Sequence, residues 1–357
     1  MRAVRIAACG LLALLLSHGA NAMFRAADLV VVPVAGSITG ANGSNWFTDV
    51  EILNADPVSN IDVEIVFLPC CSEDNRAWYS TMSNTLGGRT EDGFGHVNAS
   101  LKDIPPGRQV IIQDIISGSW GTGTKGALLV FAYEAGTLMK TTPPGGNPKN
   151  IIVNSRSYTL STSSTGTVST YGQGVPGLPW YDYIDASKKS QGLNQVTFTG
   201  IQESAGWRTD VGYVNVSDPL TELLVRFDLY GADGTKLDEE TQDVLPLAVE
   251  QWTSAAHSLF QVATGTDVTN ATIVATVDAY FTQAKEPTPA FMVYASKIDN
   301  VTNDPIYLEQ TYLQPLPFDC IFNGVNCPAA NAAVALGLQK APARPRHLLP
   351  LTRQTAR

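Results

Sequence analysis

The 357-residue chain is 44% hydrophobic and 16% charged, with a formal net charge of −10. That apolar content supports packed cores and excludes wholesale disorder. The acidic balance argues against a general nucleic-acid binder, which needs a cationic face for phosphates.

Taken in chain order, residues 1–22 read as a secretory signal. Arg2 and Arg5 form a positive start, Ile6 to Leu16 an apolar stretch, and Ala20-Asn21-Ala22 a small-x-small cleavage site. The apolar stretch is well short of the ~20 residues a spanning helix requires. The mature protein is therefore expected to be secreted or held at the cell surface, with the periplasm as the alternative, and to have no membrane span. Removing a signal with two arginines and no acids takes the net charge from −10 to −12. After Asp319 there is no carboxylate side chain, and Lys340, Arg344, Arg346, Arg353 and Arg357 add five positive charges, so residues 23–328 carry about −17.

The same unit occurs twice. Trp46-Phe47-Thr48-Asp49-Val50, Asn54 and Asp56-Pro57 recur as Trp207-Arg208-Thr209-Asp210-Val211, Asn215 and Asp218-Pro219. Ile61, Val63, Ile65 and Phe67 alternate with other residues, as do Leu223, Val225, Phe227 and Leu229. A period of two marks strands with one face in a core. Ile104-Pro105 answers to Leu245-Pro246, and Ser155-Arg156-Ser157-Tyr158 more loosely to Ser296-Lys297-Ile298-Asp299. The spacing between corresponding pieces shortens along the chain, which places an insertion between Leu68 and Ile104. The matching connection in the second unit is the Gly231-Ala232-Asp233-Gly234 turn. The expected fold is all-β, two tandem immunoglobulin-like β-sandwiches from an internal duplication. The organisation is 23–177 for the first repeat with an inserted loop near 69–103, 178–194 as linker, 195–316 for the second repeat, and 317–357 as a cysteine-containing segment with a basic, disordered tail.

These motifs, with Tyr171-Gly172-Gln173-Gly174-Val175-Pro176, resemble a group of exported bacterial proteins with tandem immunoglobulin-like or fibronectin-type modules. The resemblance runs from about Val30 to Gln310. It implies fold and export, and it brings no catalytic residue.

Candidate chemistry is sparse. Trp46 and Trp207 fit core packing better than sugar stacking, because they recur at one position in both halves. Thr48, Asp49 and Asn54, with Thr209, Asp210 and Asn215, are expected to fix strand ends and turns through side-chain-to-backbone hydrogen bonds. Cys320 and Cys327 flank a turn-rich loop and are the preferred disulfide. The adjacent Cys70 and Cys71 are not expected to bond to each other. There is no Gly-x-Ser-x-Gly elbow and no His-Glu-x-x-His, so an enzyme is the lesser reading. Asp182 and Asp185, like Glu239-Glu240, are read as solvated acids, and Asp299, Asn303 and Asp304 as a turn rather than a calcium site. No cofactor or metal is expected. The leading function is an exported, non-catalytic binding or structural module of adhesion or assembly type, with Trp78 and Tyr79 of the inserted loop as its candidate binding residues. Its partner would be a protein or polysaccharide surface. A carbohydrate-binding protein is one alternative, and a hydrolase or accessory domain with an acidic site is another.

Overall fold

The computed structural model describes residues 25–40, 44–71, 74–76, 101–137, 147–162, 166, 168–285 and 287–310. The signal segment, Trp78 and Tyr79, Cys320 and Cys327, and the basic tail lie outside them. As expected, the chain is all-β. The first half comprises β1 (Leu29–Thr39), β2 (Asn45–Asn54), β3 (Ile61–Pro69), β4 (Gln109–Ile112), the short helix α1 (Ile115–Trp120), β5 (Thr124–Glu134), β6 (Ile151–Thr162) and β7 (Val168–Pro176). Two-residue strands β8 (Leu178–Pro179) and β9 (Ile184–Asp185) follow. The second half runs β10 (Gln195–Glu203), β11 (Trp207–Asn215), β12 (Thr221–Tyr230), β13 (Lys236–Val244), β14 (Val249–Trp252), helix α2 (Ala255–Ser258), β15 (Val268–Thr282), β16 (Ala290–Asp299) and β17 (Pro305–Leu308).

The strand pairings are antiparallel and build four sheets. Sheet A joins β2 to β4 and β6, and β6 to β7. Sheet B runs β3-β5-β1-β8. Strand β1 serves both: its register against β5 shifts between Val32 and Ala35, around Pro33, and its last residues Ile38 and Thr39 pair with Trp46 and Asn45 of β2. A proline cannot donate to the ladder, so a bulge is where one is tolerated. Sheet C runs β14-β11-β16-β17, with β9 on β16, and sheet D runs β10-β15-β12-β13. The β12–β13 hairpin closes through the Asp-Gly turn read from the sequence, with Gly234 at φ +82° and Asp233 accepting from the Thr235 amide at 2.9 Å.

Three apolar clusters order these sheets. One, between A and B, holds Val32, Val50, Ile65, Phe67, Val130 and Val153. A second, between C and D, holds Phe198, Val211, Val225, Phe227, Ile273 and Phe291. The third lies between B and C and combines Leu29, Val31, Val66, Leu68, Leu129 and Phe131 with Val214, Val216, Val249 and Met292. Sheets B and C therefore lose both faces to apolar neighbours. This explains the unbroken apolar run Ala127-Leu128-Leu129-Val130-Phe131-Ala132, in which every residue is buried.

The 178–194 segment, expected as a linker, is packed: Tyr181 joins the first core, Tyr183 the B–C cluster and Ile184 the second core. The loose sequence match at β6 and β16 also needs correction by one residue. Asp49 pairs with Arg156, whereas Asp210 pairs with Ser296, so Arg156 rather than Ser155 corresponds to Ser296. A one-residue slip moves a side chain to the other face. Accordingly Ser155 is buried against the Val175 carbonyl (2.9 Å), while Ser296 faces the junction of the halves and donates to Gln173 Oε1 at 3.0 Å.

Candidate functional site

The threonine, aspartate and asparagine of each half occupy matching bonds. Thr48 Oγ1 donates to the Gly36 carbonyl (3.1 Å) and accepts from its amide (2.9 Å); Thr209 Oγ1 does the same with Gln202 at 2.8 and 3.0 Å. Asp49 Oδ1 accepts from the Asp114 amide at 2.9 Å and Asp210 Oδ1 from the Ser254 amide at 3.1 Å, each at the start of the short helix. Asn54 Nδ2 donates to the carbonyls of Ser59 and Ile104, and Asn215 Nδ2 to those of Thr221 and Leu245. In each half the asparagine Oδ1 accepts from the amide two residues on, at Asp56 and at Ser217. These bonds satisfy backbone groups that burial would otherwise strand.

The tryptophans sit elsewhere than expected. Trp46 and Trp207 are half-buried and belong to none of the apolar clusters. Trp46 pairs with Ile38 and Thr159 of the two flanking strands, and Trp207 pairs with Asp299. Lys297 Nζ stands 5.3 Å from the Trp207 ring centroid. Trp46 donates from Nε1 to Ser44 Oγ at 3.0 Å and rests on Gly40, where a Cβ would come within 2.4 Å of the indole nitrogen. The indole packed into the second core is Trp252, which contacts Tyr213 and Phe227.

Trp46 lines a cleft of about 150 Å³ between the halves. Its walls include Thr48, Lys125, Ser157 and Gln173 from the first half and Arg208, Asp210, Gln251, Tyr294 and Ser296 from the second. The cleft exists because the B–C junction changes character along its length. On β16, Met292 gives way to Tyr294 and then Ser296; on β11, Val214 gives way to Gly212 and then Asp210 and Arg208. Gly212 is required there. It pairs with Tyr294 across the ladder, and a Cβ on it would lie 2.4 Å from the Tyr294 hydroxyl and ring.

The charges in the cleft are unequal in their partners. Arg208 Nη1 donates to Asn300 Oδ1 at 2.8 Å, and its Nε lies 3.7 Å from Asp210 Oδ1. Burial pushes the Asp210 carboxyl above the ordinary carboxylate range, against the Ser254 amide, Arg208 and Lys125, which pull it down. Lys125 donates from Nζ to Gln251 Oε1 at 2.8 Å. Burial pushes its ammonium below the usual lysine value, opposed by Asp210 and Glu250. Asp210 is the single carboxylate among the described residues lining the cleft, so the paired carboxylates of glycosidase chemistry are not assembled there.

Cys70 and Cys71 are bonded to each other, contrary to the expectation from adjacency. The backbone accommodates this with Cys71 at φ +62°, and the Cys71 amide is tied to the Val249 carbonyl at 2.9 Å. Asn75 continues the tie, donating from Nδ2 to Leu247 O at 2.9 Å. Asp182 is engaged by Arg25 at 3.0 Å, and Asp185 caps a 3-10 turn at Ser187. Asp299 Oδ1 is used up by the amides of Val301 and Thr302, as a turn requires. Among the described residues no helix is long and apolar enough to cross a membrane.

No family model matches the chain, and no curated protein matches it. Among solved structures, the M60 catalytic domain with the CBM51-1 and CBM51-2 domains from Clostridium perfringens ZmpB is 10% identical, with a TM-score of 0.17 over 79% of this chain. A β-glucuronidase of Bacteroides uniformis is 11% identical, with a TM-score of 0.14 over 75%. The chain spans 33% and 25% of the length of those two chains. At such scores neither likeness bears on function, and the reading below rests on the cleft.

Proposed function

We propose that the chain is an exported, non-catalytic binding module made of two related immunoglobulin-like β-sandwiches, and that it holds a carbohydrate in the cleft between them. One observation carries the site: a half-buried indole, two planar amides, a lysine and a tyrosine hydroxyl from both halves converge on one concavity. Sugars are recognised by this combination, in which an aromatic ring meets the apolar face of a pyranose and planar polar side chains meet its hydroxyls. The matching Thr, Asp and Asn bonds support descent of the halves from one unit. The signal segment supports export. The role is thus the carbohydrate-binding form of the exported module, with its site moved from the Trp78–Tyr79 loop to the cleft.

Glycan-array binding by the mature chain tests this, followed by calorimetry on Trp46→Ala and Trp78→Ala. Loss of a glycan signal with Trp46→Ala and its retention with Trp78→Ala is the expected result. The reverse pattern would return the site to the inserted loop, and an array with no signal would leave the adhesion or assembly form of the module.

A further inference from the structure

We infer that the sugar taken by the cleft is acidic, a pyranose bearing a carboxylate that pairs with Lys125. The inference deepens the proposed function and rests on it. It starts from which polar groups in the cleft are already satisfied. Asp210 Oδ1 accepts from the Ser254 amide and lies 3.7 Å from Arg208 Nε; Arg208 donates from Nη1 to Asn300, while its Nε has no hydrogen-bond partner among the described residues. Lys125 is half-buried and has no carboxylate within ion-pair distance among the described residues; its one acceptor is Gln251 Oε1, although an ammonium has three protons to donate. With Lys125 and Arg208 against Asp210, the charged side chains lining the cleft sum to one positive charge, in a chain whose net charge is −10.

Tyr294 and Gln173 add further donors. The Tyr294 side chain is 2% exposed, lines the cleft and makes no hydrogen bond to a described residue. Gln173 has its carbonyl oxygen taken by Ser296, which leaves its NH₂ for a ligand. The lysine ammonium and these donors favour a ligand that brings acceptors to this side of the cleft. A carboxylate brings two oxygens with four lone-pair sites and no proton, and hydrogen bonds to an ionised group are roughly twice as strong as neutral ones. Sugar hydroxyls carry a proton for every oxygen and fit this donor-rich wall less well. Trp46, its indole nitrogen already committed to Ser44, supplies a ring surface for the apolar face of the pyranose.

The test is calorimetric titration of the mature chain with methyl glucuronide and methyl glucoside, which differ only in the carboxylate. An oligouronide arm separates a free sugar from a chain segment as the source. The uronide is expected to bind about tenfold more tightly, the gap a single charge-assisted hydrogen bond gives. Lys125→Met should abolish the gap with folding intact by circular dichroism, Lys125→Arg should keep part of it, and Tyr294→Phe should weaken uronide binding several-fold. Equal affinity for the two glycosides in the unmutated protein would overturn the inference while leaving a carbohydrate site in place. Persistence of the gap in a folded Lys125→Met chain would also overturn it. Failure of every sugar to bind would remove the carbohydrate reading itself.

Discussion

Strands β2 and β11 begin from the same residues and end in different surroundings. Along β2, burial alternates, with Thr48, Val50, Ile52 and Asn54 inward and Phe47, Asp49, Glu51 and Leu53 partly exposed. Along β11, every residue from Arg208 to Asn215 is buried. The cause is the layer order. Sheet A, which holds β2, is an outer layer, whereas sheet C, which holds β11, is covered by sheet B. The shared Thr and Asn point into their own core in both halves and keep the same bonds. The aspartate points the other way. Asp49 meets the Tyr158 hydroxyl at a half-open surface (3.2 Å), and Asp210 meets Arg208 inside the cleft. One motif thus sets its aspartate at a half-open surface in one half and inside the cleft in the other, while Trp46 and Thr48 of the first copy also line that cleft.

The face that sheet B turns to sheet C and the far face of sheet D make the complementary contrast. Sheet B offers Leu29, Val31, Val66, Leu129 and Phe131 to its neighbour. The outer face of D instead carries an ion-pair network in which Arg226 holds Asp228 and Asp278, and Lys236 holds Asp228 at 2.7 Å. A charged outer sheet is how stacked arrays are capped. The largest expected effect breaks this contrast: Leu129→Ala should cost about 2–5 kcal/mol, and Leu224→Ala on the outer face of D about 0.5 kcal/mol. Urea denaturation measures both. Similar costs would mean that the B–C junction contributes little.

Glu64 is the polar intruder in the apolar row of β3, on the same face as Val66 and Leu68 and opposite Phe131. Burial, reinforced by Asp62 and only partly opposed by Lys102, pushes its carboxyl from 4.5 up to about 7. The folded chain holds this proton more tightly than the unfolded chain does. The stability it confers is therefore complete below the ordinary glutamate value and is lost as pH rises from there through about 7. Glu64→Gln should stabilise the protein at pH 7 by about 3 kcal/mol and have little effect at pH 4, which denaturant titrations at the two pH values would show. An equal effect at both would mean that the carboxylate is not desolvated.

Much of this was legible in the sequence. Period-two alternation located β3 and β12, and the repeated Trp-x-Thr-Asp-Val and Asn marked β2 and β11. Alternation could not show that Val66, Leu68 and Leu129 are buried on the second face, because that depends on a neighbour more than 80 residues away, such as Val214. The cleft was less legible. Lys125, Gln251 and Tyr294 come from three strands and share no local pattern; Trp46, Thr48 and Asp210 stand in the repeated motif, Gln173 in the Tyr171-to-Pro176 stretch, and Arg208 between Trp207 and Thr209. The recurrence of the tryptophans does not mark burial; it reflects the same half-exposed strand start twice. The Cys70–Cys71 bond is not legible because adjacency argues against it, and the positive φ at Cys71 leaves no mark in the sequence.

The equality of the halves is sharpened by the asparagines. Asn54 and Asn215 are 1% and 0% exposed, and each holds carbonyls from two loops. Asn54→Ala and Asn215→Ala should each cost about 1–3 kcal/mol, since truncation leaves buried carbonyls unpaired. Chemical denaturation of the two variants should give similar values, because the two side chains hold matching carbonyls. A large inequality would mean that water takes over the role in one half.

The smallest effect separates the halves again. Asp114 and Ser254 precede the two short helices with φ of +42° and +55°, and each offers its amide to the motif aspartate. Left-handed backbone costs a non-glycine residue about 1–2 kcal/mol, and glycine returns about half of that to the flexibility of the unfolded chain. Both Asp114→Gly and Ser254→Gly keep the amide and should stabilise. The gains should differ, because the side chains are not equivalent. Asp114 has a buried oxygen, Oδ1, without a hydrogen-bond partner, and its removal relieves a second cost. The Ser254 side chain is one of the groups that restrain Glu203, whose carboxyl burial pushes upward, so its removal leaves that carboxylate less supported. Melting curves should therefore show a gain of about 1 kcal/mol for Asp114→Gly and about half that for Ser254→Gly. The opposite ranking would mean that the unpartnered Asp114 oxygen costs the fold less than the support Ser254 gives to Glu203.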